Sequence, residues 1–414
     1  MARKKYKYAR EYIQKLPKSD LHVHLDGSVR LSTLIELARE HNIELPSYTE
    51  EGLKELVFKP SYSSLTEYLY GFQFSVAVMQ TPESLERIAY EFAWDNINDG
   101  VTYVEVRFAP QLHVNKNQDI ATVLQAVNNG LKRAKLERNT QTGVVDGDAP
   151  LFEYGIIVSA MRKFDAHYSE YYKNLFDVHP YTTPRDLYPM ASLELAKSAV
   201  EIRDTMGLPI VAFDLAGEEA GYPAEHHWEA YEFAHRNFLK KTVHAGEAYG
   251  PESIFQAITD LNADRIGHGY YLFAVGSIAD KSIQDKYRYV RDLSEYISDR
   301  RITIEVCLTS NMQTNPKIAQ LSNHAFRRMR KWHLSTTFCT DNRTVSNTTV
   351  TDEVLQGANT FNLRPRELKD IIIYGFKRSF FPGNYKEKRR YVRSVIDHYE
   401  RIEHAQIGIR DFKQ

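Results

Sequence analysis

Three observations predict an α/β fold with eight parallel strands, either closed as a (β/α)8 barrel or spread as a large doubly wound sheet. Eight short apolar runs occur along the chain, separated by longer amphipathic segments. The runs are rich in Val, Ile, Phe and Tyr, as suits parallel strands buried on both faces. Polar side chains suited to chemistry stand at their C-terminal ends, where such barrels carry their active sites.

In chain order the predicted strands lie in LHVHLDG (21–27), VTYVEVRFAP (101–110), YGIIVSAMR (154–162), PIVAFDLAG (209–217), KTVHAGE (241–247), RIGHG (265–269), ITIEVCLTSN (302–311) and STTFCTDN (335–342). Helical spacing of apolar residues marks 82–100, 191–207, 223–239 and 251–262. The first of these has Pro82 near its start and Gly100 at its end. The polar stretch 137–150, with Gly143, Gly147 and Pro150, reads as a surface loop. Residues 270–300 form a long connection between the sixth and seventh strands, with a helix over 285–299. The apolar stretch 61–79 reads equally as a lid over the site or as a helix packed on the barrel. Beyond 343 the chain is mostly helical, with a charged segment near 384–404, and is expected to pack on the barrel. A single domain over 1–414 is expected, with core strands between about 20 and 342.

Charge and composition narrow the function. Fifty-three basic side chains balance 54 acidic ones over 414 residues, so the basic surface that nucleic-acid binding needs is lacking. No run approaches the roughly 18 apolar residues of a membrane span. The basic start MARKKYKYAR is followed by EYIQKLPKSD, with no apolar core of a secretory signal, so a cytoplasmic location is expected. Cys307 and Cys339 lie inside apolar runs; two cysteines make no disulfide framework, and a reducing compartment fits. No GxGxxG follows a strand and no GxxxxGK[ST] occurs, so phosphate-cradling loops are unsupported.

The strand ends carry the chemistry. Side chains alternate along a strand, so His22 and His24 point the same way. The fourth strand ends in Asp214 and Gly217, and the fifth in His244 and Glu247. The sixth ends in His268 between two glycines, the seventh in Ser310 and Asn311, and the eighth in Asp341 and Asn342. Taken singly, each has an ordinary reading: a satisfied loop histidine, an N-cap, or Asp26 capping a turn with Gly27. Ordinary readings do not explain why all of them fall at one end of the strands. Catalytic zinc takes imidazole and carboxylate ligands and keeps a position for water, and His22, His24, His244 and Asp341 supply three nitrogens and one oxygen. Iron or manganese suits the same donors.

DLHVHLDGS, FDLAGEE, VHAGE, RIGHG, CLTSN and CTDN, in this order over residues 20–342, resemble the motifs of the adenosine deaminase family. The resemblance implies a TIM barrel, one zinc ion per chain and hydrolytic loss of ammonia from C6 of a 6-aminopurine nucleoside. It makes His22, His24, His244 and Asp341 the zinc ligands and sets His268 beside the activated water. It also places Asp26 at the ribose hydroxyls, the Gly217 N–H at purine N3 and Glu247 at N1. Asn342 stands where many members carry a second aspartate facing N7.

The chemistry also follows from the residue types. Zinc lowers the pKa of a bound water from 15.7 to about 7. The aromatic carbon resists attack unless a ring nitrogen gains a proton, which a carboxyl with a raised pKa, Glu247, can donate. His268 and Asp341 can orient the nucleophile and accept its proton. An asparagine amide donates to N7 at any pH, whereas an aspartate must be protonated to do so.

The expected reaction is therefore conversion of adenosine and 2′-deoxyadenosine to inosine and 2′-deoxyinosine. Adenine, an N6-substituted AMP or aminodeoxyfutalosine is the alternative substrate, though Asp26 disfavours a 5′-phosphate. A non-catalytic binding protein of the same fold is the reading from another class. An amidohydrolase cleaving a cyclic amide would commonly carry a bridging lysine at a strand end, and none of these ends has one.

Overall fold

The computed structural model describes residues 5–315, 318 and 320–411. All eight predicted strands are present: β1 (Lys18–His24), β2 (Val101–Phe108), β3 (Glu153–Met161), β4 (Ile210–Ala216), β5 (Lys240–Ala245), β6 (Arg265–His268), β7 (Thr303–Val306) and β8 (Thr336–Phe338). They pair in parallel in the order β1 to β8. Closure decides between barrel and open sheet. Val23 and Asp341 form a parallel bridge, with the Asp341 N–H donating to His22 O at 2.8 Å and the His24 N–H to Asp341 O at 2.7 Å. The sheet is thus a (β/α)8 barrel whose seam is held by the residue just beyond β8.

Local chemistry sets the helices. In Pro82–Asn98, the Thr81 side chain caps the N-terminus by accepting the Ser84 N–H, and Pro82 takes the first turn, where no N–H is needed. The segment predicted over 191–207 is longer, Pro184–Met206, and ends at Gly207 in a left-handed conformation. Pro184 takes the first turn, where no N–H is needed, and Pro189 lies inside the helix, which continues past it although one backbone hydrogen bond is lost. The 223–239 segment divides into a tight turn, Ala224–His227, and a helix, Trp228–Arg236. Residues 137–150 end the helix Ile120–Asn139 and add one turn, Thr142–Val145, rather than a plain loop. The predicted helix between the sixth and seventh strands is Lys286–Arg300, capped by Asp285.

The C-terminal helices cover the barrel end opposite the polar strand ends. Pro365–Arg378 packs on β1 and β8. Arg265 Nη1 donates to Arg378 O at 3.0 Å, and the Tyr391 hydroxyl to Thr102 O at 2.7 Å. Cys307 and Cys339 are buried free thiols. Among the described residues no helix is long and apolar enough to cross a membrane.

Candidate active site

The barrel wall brings the polar strand ends into one cavity of about 700 Å³. His24, Asp26, Gly217, His244, Glu247, His268, Asp341 and Asn342 all line it. His22 lies beneath it, its ring 4.5 Å from that of His244 and 4.7 Å from that of His268. His268 and Asp341 take φ of 65° and 63°, left-handed conformations that cost a non-glycine residue about 1–3 kcal/mol and cluster at functional sites. Gly217, at φ 95°, turns the chain off β4 where a side chain would be strained.

Four donors converge. His22, His24, His244 and Asp341 each offer an atom within 4.8 Å of all the others. His24 Nε2 and His244 Nε2 are 3.1 Å apart, and Asp341 Oδ1 is 3.4 Å from His22 Nε2 and 3.5 Å from His24 Nε2. Metal–nitrogen bonds of about 2.0–2.1 Å in a tetrahedral shell put neighbouring donors about 3.3 Å apart, so the spacing fits one small cation. His22 Nε2 is buried with no hydrogen-bond partner among the described residues. Burial and Arg107 oppose the charged form of His22, but Asp341 and Glu305 outweigh them and raise its pKa. The centre thus favours positive charge, which a cation can supply in place of that proton.

Carboxylates hold the outward nitrogens. His22 Nδ1 is 2.8 Å from Glu305 Oε2, and His244 Nδ1 is 3.1 Å from Asp214 Oδ2. Such contacts fix the ring orientation and leave Nε2 free to bind a metal. One guanidinium ties both carboxylates together: Arg107 donates to Asp214 Oδ2 at 3.3 Å, Glu305 Oε2 at 2.9 Å and Leu21 O at 2.6 Å. Burial would raise the pKa of Glu305, but Arg107 and Arg265 outweigh it and keep the group ionised. Of this network only Asp214 is expected from the sequence; Arg107 and Glu305 are not. The network's signal is present as charges at alternate positions of apolar strands, Glu105 and Arg107 in VTYVEVRF and Glu305 in TIEV.

Glu247 is built into the wall. Burial raises its pKa well above the usual carboxylate range; Asp341 and Glu219 add to this and Arg162 opposes it. Glu219, also buried, grips the loop that carries it. Its carboxylate accepts the N–H groups of Gly246, Glu247, Ala248 and Tyr249 at 2.6–3.0 Å and the Ser253 hydroxyl.

A chain of hydrogen bonds orients His268. The Phe326 N–H can only donate, and it donates to His324 Nδ1 at 3.0 Å. His324 is neutral, its pKa pushed down to about 3 by burial, so its proton is on Nε2, which donates to Asn311 Oδ1 at 3.2 Å. The Asn311 amide then donates to His268 Nδ1 at 3.1 Å. Burial, then the His22 charge, push the His268 pKa well down, so its single proton sits on Nε2, 3.6 Å from Glu247 Oε2. Nothing local in the sequence links His324 to this chain.

Asp26 and Asn342 complete the cavity wall. Burial raises the Asp26 pKa to about 7, against N–H groups of its own turn that favour the carboxylate. Asn342 Nδ2 donates to the Tyr68 hydroxyl at 2.7 Å, and Oδ1 has no partner among the described residues. Gly27 permits this packing, since a Cβ there would lie 1.8 Å from Asn342 Oδ1. Tyr68 comes from the 61–79 stretch, which forms two short helices, Leu65–Tyr70 and Phe72–Val78, over the cavity.

Comparison with known proteins follows the same lines. The sequence profile of a family described as adenosine deaminase matches residues 17–162 and 184–399. An adenosine deaminase of Vibrio atlanticus is 34% identical over 374 residues, covering 90% of this chain and 96% of the relative. An Arabidopsis N6-mAMP deaminase shares the fold with a TM-score of 0.69 at 24% identity, covering 94% of this chain and 99% of its own. A Burkholderia ambifaria amidohydrolase with bound Zn does so with a TM-score of 0.73 at 18% identity, covering 98% of each chain. By profile, by relatives alike over nearly their whole length and by fold, this chain belongs to the adenosine deaminase family of hydrolytic aminohydrolases.

Proposed function

We propose that the protein is a zinc-dependent nucleoside deaminase that converts adenosine and 2′-deoxyadenosine to inosine and 2′-deoxyinosine, releasing ammonia. The observation that carries this reading is the convergence of His22, His24, His244 and Asp341 in one cavity beside Glu247, whose pKa burial raises. Relatives named adenosine deaminase support it. The four donors would hold the zinc ion, which when bound supplies a water acidified into the neutral range.

The chain's own residues do the rest. Glu247 donates its proton to purine N1, which makes C6 electrophilic. A C6–O bond forms as Asp341 accepts one proton of the incoming water. Asp341 passes that proton to the C6 amine, the C6–N bond breaks and ammonia leaves, while the remaining O–H proton returns to Glu247 as the C6 carbonyl forms. The Ser310 hydroxyl donates to Asp341 Oδ2 at 2.6 Å and so fixes its Oδ1 toward the centre. His268, with its proton on Nε2, donates a hydrogen bond to the reacting oxygen. This differs from the sequence expectation that it shares in accepting the proton. Asp26 takes the ribose hydroxyls, the Gly217 N–H meets N3 and Asn342 meets N7. One amide hydrogen of Asn342 engages Tyr68; the other remains for the purine.

Two tests apply directly. Purified protein should carry about one equivalent of zinc; chelation should abolish turnover and added zinc should restore it. Less than about half an equivalent of transition metal, without recovery on adding zinc, would favour a binding protein of the same fold. For Asn342→Asp, kcat/KM should match the parent at low pH and fall by up to about tenfold as the new carboxyl ionises and ceases to donate. Activity lost at every pH would remove Asn342 from N7 recognition.

A further inference from the structure

We propose that the site accepts adenine nucleosides bearing an uncharged, apolar substituent at the 5′ position, a 5′-alkylthio group being the simplest. This rests on the nucleoside-deaminase reading above. The cavity, about 700 Å³, lies in the upper part of the roughly 300–1,000 Å³ range of small-molecule sites, more than a bare nucleoside fills.

The spare room lies on the sugar side. Around the purine perimeter, C6, N1 and N3 are met in turn by His268 at the end of β6, Glu247 beyond β5 and Gly217 beyond β4. N7 is met by Asn342 beyond β8. N9, between N3 and N7, therefore faces the arc formed by β3, β2 and β1, where Asp26 stands. The cavity continues along that arc between Ala109, Leu112 and Met161 on the barrel side and Leu69, Phe72 and Val76 on the two short helices. Val76 and Met161 also pack against the apolar cluster that contains Ala109 and Leu112, so this wall is continuous. The helix Phe72–Val78 packs on the Asp26–Ser28 turn, which brings the arm next to the sugar.

Charge selects against a 5′-phosphate. Among the described lining residues Lys163 is the only Lys or Arg, and its Nζ is already 2.8 Å from Glu218 Oε2. Asp165 adds another carboxylate to the same rim. A phosphate would be desolvated there without a free cationic partner, whereas an alkylthio group would bury apolar surface. The reaction at C6 is unchanged: water enters, ammonia leaves, and the 5′ carbon–sulfur bond is untouched.

Steady-state deamination by the zinc-loaded enzyme, followed by loss of the adenine ultraviolet band, tests this with adenosine, 5′-deoxy-5′-(methylthio)adenosine and AMP. The methylthio compound should have a kcat/KM within about tenfold of adenosine and at least about tenfold above AMP. Val76→Trp, at a partly exposed position, narrows the arm and should lower kcat/KM for the methylthio compound at least about tenfold more than for adenosine. A methylthio compound more than about tenfold worse than adenosine, AMP within about tenfold of it, or an equal effect of Val76→Trp on both nucleosides overturns the proposal. Failure to turn over adenosine itself overturns instead the deaminase reading beneath it.

Discussion

Replacing Glu247 with glutamine is expected to lower kcat by about 10²–10⁴-fold while zinc content and the thermal unfolding midpoint stay at parent values. The amide has nearly the shape of the carboxyl it replaces, so the loop bonded to Glu219 is undisturbed. Glu247 is not one of the four donors His22, His24, His244 and Asp341, although with His268 and Asp341 it makes a second possible donor group, so retained zinc also assigns the ion to the first group. What disappears is the proton. Burial, followed by the charges of Asp341 and Glu219, holds the Glu247 carboxyl protonated, and glutamine has no acidic proton to give to N1. In the parent, activity should fall as pH rises through this raised pKa, because the ionised form cannot donate. The variant should lack that limb. Metal analysis alongside kcat across pH checks both parts; turnover near the parent rate would take Glu247 out of the donor role.

Arg107→Met should produce the largest loss of stability, about 3–5 kcal/mol, because it takes the guanidinium from buried Asp214 and one of the two guanidinium partners from buried Glu305, which keeps Arg265. Arg107, Asp214 and Glu305 are all fully inaccessible to water. The same change releases the two carboxylates that orient His22 and His244, so zinc affinity should drop by about 10–100-fold in whatever fraction folds. Arg107→Lys should fall between, since an ammonium is a point charge and cannot bridge both carboxylates in the fixed fork of a guanidinium. Urea unfolding measures the first effect and chelator competition the second. Parent-like zinc affinity in a folded Arg107→Met protein would mean that the histidines are oriented without the network.

Much of this architecture is written locally in the chain. The eight strands are legible because parallel strands buried on both faces demand apolar runs, and KTVHAGE and RIGHG carry polar residues at both ends, Lys241 and Arg265 at the start and His244, Glu247 and His268 at the functional end. The nine residues expected at the site meet around one centre for the same reason, since each is placed by a strand end. What escapes is pairing across long separations. Arg107 and Glu305 are visible as charges in apolar strands, but their contact depends on the curvature of the whole sheet. His324 reaches His268 only through Asn311, and its immediate neighbours carry no sign of it. The early start of the helix Pro184–Met206 is not marked locally, since two prolines, Pro184 and Pro189, interrupt the helical pattern there. The width of the sugar-side arm is set by how Phe72–Val78 leans on the barrel, a distance that no local pattern encodes.

The hoop is joined where its first strand meets the segment past its last, and the backbone of Asp341 makes that join with the peptides of His22 and His24. A growing polypeptide therefore carries its two earliest imidazoles idle through most of its synthesis. Incomplete products, whether stalled or clipped ahead of the final strand, lack both the clasp and the carboxylate. The closing backbone and the fourth converging donor thus arrive on one residue, at the same moment of synthesis.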